Sequence, residues 1–67
     1  MFLYVNLPYS RPMLEAVLRQ LLTRAGVVAP RRLTDAALAE AGVTYVLTEE
    51  WSKSRVKVEL THVLRGS

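Results

Sequence analysis

The chain has 67 residues, of which 51% are hydrophobic and 22% charged, with a net charge of +3 and no cysteine. This length allows a single domain, residues 1–67, with a small core, and the lack of cysteine excludes support by disulfides. A single histidine and a single aspartate form no set of metal ligands, so we expect no cofactor. We therefore expect self-association or a binding partner to supply further stability.

The first element is predicted to be a strand, Phe2 to Leu7, because it is rich in β-branched and aromatic residues and ends in a turn signal at Pro8. Its alternate residues form two apolar faces, Phe2 with Tyr4 and Leu3 with Val5 and Leu7. A strand that is apolar on both faces is either central in a covered sheet or has one face on a partner.

The strongest periodic signal is the stretch from Ser10 to Gly26, which predicts an amphipathic helix. Ser10 is a suitable N-cap, Pro12 fits the first turn, and Gly26 is a typical residue to end a helix. The residues with the spacing of one buried face are Leu14, Val17, Leu18, Leu21, Leu22 and Ala25. We expect the rest of the chain to pack against this face.

A second, shorter helix is predicted to begin at Thr34 or Asp35 and to end at Gly42. With Thr34 as the cap, Leu33 and Leu38 stand at the two positions of a hydrophobic staple. A helix of about two turns does not hold in isolation. It must therefore lean on the core, through Leu33, Ala37, Leu38 and Ala41.

From Val43 the hydrophobic period changes to two, which predicts a β-hairpin with strands at 43–48 and 55–61 and a polar loop at 50–54. One face of the hairpin is apolar and the other polar. Parity places His62 on the apolar face with Val58 and Leu60, where we expect a partly buried packing residue.

The predicted fold is a small two-layer α+β domain with a three-stranded antiparallel sheet and two helices on one face. Its strand-helix-helix-strand-strand order resembles part of a winged-helix domain, with Trp51 to Arg55 as the wing. The resemblance implies DNA binding. However, the second helix offers Asp35, Glu40 and methyl groups where base edges and phosphates favour basic or amide side chains, so nucleic acid would need another surface.

The charges are unevenly distributed along the chain. Residues 1–34 contain five arginines and one glutamate, giving +4, whereas residues 35–67 contain four cations and five carboxylates, giving −1. Such asymmetry suits a polyanion or an acidic protein as partner, and the alternative interpretation is a surface that serves solubility. Trp51 either stacks on a base, anchors in a protein pocket or folds back over the sheet edge. The candidate binding residues are Arg31, Arg32, Trp51, Lys53, Arg55, Lys57, Phe2 and Tyr4.

No nucleophile with a positioned base, glycine-rich phosphate loop or paired carboxylates can be built from the sequence, so we expect no enzyme activity. No apolar run is long enough to cross a bilayer, and the N-terminal stretch has no basic leader and is interrupted by Asn6, so we expect a cytoplasmic protein without a leader or membrane span. The first hypothesis is a regulator or inhibitor that docks on a larger, nucleic-acid-processing protein. The alternatives are a winged-helix-like transcriptional regulator that binds DNA directly, and a homodimeric structural module.

Overall fold

The sheet has three antiparallel strands, β1 (Phe2–Asn6), β2 (Val43–Glu50) and β3 (Arg55–Val63), in the order β1-β3-β2. The fold also has two helices, α1 (Arg11–Arg24) and α2 (Asp35–Glu40). The structure is a computed structural model, and it describes residues 1–63. The predicted element order and the α+β class are confirmed. Among the described strands, β3 is central, and β1 and β2 are the sheet edges. Of the two alternatives for the first strand, a central position in the sheet is therefore wrong.

Helix α1 begins and ends where its capping residues predict. The Ser10 side chain accepts a hydrogen bond from the backbone N–H of Met13 (3.4 Å). At the other end, Gly26 has a φ of +77°, and the N–H of Val27 donates to the carbonyl of Leu22 (2.9 Å). This is a Schellman motif, in which a left-handed glycine lets the chain turn back and satisfy the last carbonyls of the helix.

Helix α2 is a single stretch of six residues whose ends are also specified locally. The Thr34 hydroxyl accepts a hydrogen bond from the N–H of Ala37 (3.1 Å), which selects Thr34 as the cap. Leu33 and Leu38 are both buried, at the two positions of the predicted staple. The short helix is therefore held by tertiary packing at both leucines.

The core lies between the helices and one face of the sheet. Helix α1 packs over β1 and β3, and α2 packs over β2. The buried residues are Val5, Leu14, Leu18, Leu21, Leu22, Leu33, Leu38, Val43, Val56 and Val58. The four leucines of the predicted α1 stripe are buried, and Val17 and Ala25 are half-buried beside them. Within residues 1–63, no helix is long and apolar enough to cross a membrane.

The pairing of β2 with β3 contains a β-bulge. Thr44 lies opposite His62 and Tyr45 opposite Leu60, so that Thr61 is an additional residue on β3. The hydroxyls of Thr44 and Thr61 are 2.8 Å apart. Because the bulge breaks the two-residue period, His62 shares the face of Thr44 and is exposed. The predicted burial of His62 with Val58 and Leu60 is wrong for this reason.

Within residues 1–63, edge strand β2 pairs with β3 along one side only. Two apolar residues near its middle, Val46 and Leu47, are exposed on opposite faces of the sheet. They are followed by the exposed Glu49, and by Glu50 at the end of the strand. The middle of this edge is therefore apolar and its end is acidic.

Candidate binding surfaces

The face of the sheet that points away from the helices carries the first candidate surface. Within residues 1–63, no element covers this face, which we call the outer sheet face; its residues include Phe2, Tyr4, Val46, Arg55 and Lys57. Strand alternation puts them there, because their neighbours Val5, Val56 and Val58 point into the core. Phe2 and Tyr4 are 45% and 38% exposed.

The two rings on this face are each covered in part by a cation from β3. The guanidinium carbon of Arg55 lies 3.7 Å from the centroid of the Tyr4 ring, and Nζ of Lys57 lies 4.5 Å from that of Phe2. The two rings meet edge to face, with centroids 5.5 Å apart. Both kinds of contact are favourable because a ring has a negative face and a positive edge. The four side chains therefore form one cluster of mutual contacts.

Carboxylates neutralise both cations of the cluster. Nε of Arg55 lies 2.8 Å from Oε1 of Glu50, which is directly opposite on β2, and Nζ of Lys57 lies 3.8 Å from Oε1 of Glu59. Two positive and two negative side chains balance on the outer sheet face. Arg55, one of the candidate binding residues, is the first residue of β3, and its side chain is paired and only 29% exposed.

The hairpin loop places Trp51 in solvent. Residues Trp51–Lys53 form one 3-10 turn, after which Ser54 adopts left-handed angles with a φ of +50°. The Trp51 side chain is 72% exposed, so the indole does not fold back over the sheet edge. The N–H of Leu7 donates to the carbonyl of Ser54 (2.8 Å), which ties the hairpin to the end of β1. Trp51 thus borders the sheet at the end where β3 begins.

Arg31 and Arg32 lie on a different part of the molecule. Both are exposed in the connection between the helices. The Arg19 guanidinium of α1 donates to the carbonyls of Pro30 (3.4 Å) and Arg31 (3.3 Å), so this connection rests against α1. The sequence left open whether the basic residues of this connection and those of the hairpin lie on one side of the sheet. The structure separates Arg31 and Arg32, in the helical layer, from Arg55 and Lys57, across the sheet.

Sequence reasoning did not include Arg19 and Arg24 of α1 among the candidate binding residues. Both line one open, shallow depression on the outward side of the helix, together with Ala16, Gln20 and Thr23. The signal available in the sequence was the excess of arginine in residues 1–34. Where these arginines lie relative to one another depends on the contacts of Arg19 with the connection, eleven and twelve residues further along the chain.

Arg11 is the arginine of α1 that is neutralised. Its Nε lies 3.2 Å from Glu15 and its Nη2 lies 3.5 Å from Asp35. Desolvation acts to lower the pKa of Arg11, but the hydrogen bond with Glu15 and the neighbouring Tyr45 and Asp35 raise it in sum. Arg11 also donates to the carbonyl of Leu33 (2.8 Å). It therefore joins the start of α1 to the start of α2.

Comparison of the chain with protein-family models, curated proteins and solved structures found no match. In the part of the chain that the structure describes, no group of three or more histidine, cysteine, aspartate or glutamate side chains is placed to hold a metal ion.

Proposed function

We propose that this protein is a small, non-enzymatic binding module that docks on a larger protein through the outer sheet face. The observation that carries the proposal is the exposure of Phe2 and Tyr4 on a sheet face that no element covers within residues 1–63. Aromatic residues and arginine are enriched at the centres of protein interfaces, where they contribute most of the binding energy. The rings are already ordered by Arg55 and Lys57, so docking costs less side-chain entropy.

The charge balance of the outer sheet face favours a partner whose docking surface is apolar at its centre and uncharged. A polyanion would have to compete with Glu50 and Glu59 for Arg55 and Lys57. An apolar protein surface instead buries the two rings and leaves both ion pairs intact. Breaking a pair as it becomes buried is costly, whereas keeping it limits that penalty.

Trp51 extends this surface at one end of the sheet. Its exposed indole suits insertion into a pocket of the partner, because tryptophan provides a large contact area with few rotatable bonds. Lys53 lies two residues further along the same turn and contributes charge at the rim. In this proposal the module is a cytoplasmic regulator or inhibitor, and its partner belongs to the nucleic-acid machinery.

Direct DNA binding in the winged-helix manner has less support. Helix α2 would be the reading helix, but it has six residues, and its exposed positions include Asp35, Ala36, Ala39 and Glu40. Those side chains offer carboxylates and methyl groups to a phosphate-lined groove. A protein partner is therefore the better assignment for the outer sheet face.

The test compares two double variants as baits in host lysate, and then measures affinity for the protein that the wild type captures. Phe2→Ser with Tyr4→Ser removes the exposed rings, whereas Met13→Ser with Val28→Ser removes exposed apolar side chains elsewhere. We expect the first variant to bind the partner about tenfold or more weakly, and the second to bind it as the wild type does. Circular dichroism establishes that both variants are folded.

Nuclease treatment and moderate salt should leave the complex intact, because the contact is apolar. Equal binding by the two variants, or release of the partner by nuclease, would contradict the proposal. A stable dimer of the wild type in sedimentation, lost in the ring variant but retained in the control, would assign the outer sheet face to a second copy instead.

A further inference from the structure

We infer that the outward side of the helical layer is a second binding site, which takes the phosphate backbone of double-stranded nucleic acid. Its residues are Arg19 and Arg24 of α1 and Arg31 and Arg32 of the connection, and we call this surface the arginine face. The inference does not depend on the function proposed for the outer sheet face. The two surfaces lie on opposite sides of the sheet and can be occupied together.

Arg19 organises the arginine face. Two of its guanidinium nitrogens donate to the carbonyls of Pro30 and Arg31, at 3.4 and 3.3 Å. These contacts hold the connection against α1 and bring Arg31 beside Arg19. Arg19 also lines the open depression on α1 together with Arg24. The two segments that carry these four arginines, the helix and the connection, are therefore in contact, although they are separated in sequence.

The charge of the arginine face is uncompensated. Among residues 1–63, carboxylates form ion pairs with Arg11, Arg55 and Lys57, but with none of the four arginines of this face. Arg19, Arg24, Arg31 and Arg32 are all exposed. Guanidinium groups remain charged at any physiological pH, and their planar fork matches phosphate oxygens. Four such groups without a carboxylate partner favour a polyanion.

The absence of aromatic side chains on this surface distinguishes a duplex from a single strand. Proteins that hold single strands stack the bases on aromatic rings between their cationic contacts. In the described part of the chain, Phe2 and Tyr4 lie on the outer sheet face, Trp51 lies in the hairpin, and Tyr9 and Tyr45 pack against the core. The depression on α1 is lined instead by Ala16, Gln20 and Thr23. The ligand is therefore a stacked duplex, contacted at its phosphates and without base sequence preference.

The binding of a short, labelled DNA duplex to the full chain can be followed by fluorescence anisotropy over a range of salt concentrations. Contacts with four phosphates predict that log K falls with log salt with a slope of about −3.6, and that Kd is roughly 10⁻⁴–10⁻⁶ M at physiological salt. The Arg24→Gln and Arg31→Gln substitutions should each weaken binding and reduce the slope by about 1. A single strand of the same length should bind more weakly than the duplex.

Lys53→Gln is the matched control, because it also removes one positive charge but lies in the hairpin turn, away from the arginine face. It should weaken duplex binding less than either arginine substitution. An equal loss in all three variants would mean that net charge alone attracts the DNA, and would overturn the inference. So would a failure of the wild type to bind the duplex at low salt, or arginine-dependent binding to phosphatidylserine vesicles without binding to DNA.

The test of duplex binding to the arginine face can be distinguished from the test of partner binding to the outer sheet face. Loss of the duplex in the arginine variants should leave the protein partner bound, and loss of the partner in the Phe2→Ser, Tyr4→Ser variant should leave the duplex bound. If the ring variant also lost the duplex while remaining folded, the two surfaces would not be separate, and the arginine face would be the wrong assignment.

Discussion

Replacement of Arg55 with alanine is expected to lower the free energy of unfolding by about 1–2 kcal/mol. The side chain makes two contacts that alanine cannot make, an ion pair with Glu50 at 2.8 Å and a cation–π contact with Tyr4 at 3.7 Å. The side chains of Arg55 and Glu50 are 29% and 26% exposed, so solvent screens their pair only in part. The pair contributes about 0.5–1 kcal/mol and the ring contact about as much.

The assay is urea denaturation of the full chain, with the midpoint and the slope fitted separately. A double-mutant cycle of Arg55→Ala with Tyr4→Leu isolates the ring contact, for which we expect a coupling energy of about 0.5–1 kcal/mol. Lys53→Ala is the control, since this exposed residue should change stability by less than about 0.5 kcal/mol. The reasoning is refuted if Arg55→Ala costs no more than Lys53→Ala, or if the cycle shows no coupling.

Two further predictions concern the core and the end of α1. Leu18 is fully buried, so Leu18→Ala should lower the free energy of unfolding by about 2.7–5 kcal/mol. So large a loss should leave much of this small domain unfolded before heating, which a thermal melt would detect. A loss below about 1 kcal/mol would show that the α1 stripe is not the core. At Gly26, where φ is +77°, an added Cβ meets nothing within 4 Å, so Gly26→Ala should cost only its backbone strain, about 1 kcal/mol in urea denaturation. If that variant were as stable as the wild type, the backbone at residue 26 could leave the left-handed conformation without lowering the free energy of unfolding, which would contradict the prediction.

Much of the fold could be predicted because its signals are local. The caps Ser10 and Thr34 and the terminal Gly26 act on atoms within four residues of themselves, and their roles are readable from the sequence. The leucine stripe of α1 is similarly a property of one helix. Such features require no knowledge of what lies across the sheet.

The features that the sequence did not indicate depend on pairings across the chain. The extra residue Thr61 turns His62 outward, and only the partner strand reveals that the period is broken. The pairing of Arg55 with Glu50 and Tyr4 needs the register of all three strands. The candidate sites were therefore found as residue types but not as surfaces.

The arginine face could not be predicted for the same reason, because it depends on contacts between residues that are far apart in the sequence. Arg31 was recognised as basic, but its place beside α1 follows from the reach of the Arg19 guanidinium to two backbone carbonyls. Charge composition indicated that the first half of the chain is basic. It did not separate the cations held in ion pairs from the uncompensated ones.

The one-sided pairing of β2 also has a consequence for assembly. An unpaired strand edge is a template for further strands, and Val46 and Leu47 give it the apolar middle that strand addition favours. Glu49 is exposed immediately after them, and copies stacked in parallel register would bring these carboxylates into a row. Repulsion in such a row would oppose fibre growth, while a single extended peptide carrying a lysine or arginine opposite Glu49 would meet attraction at the same edge.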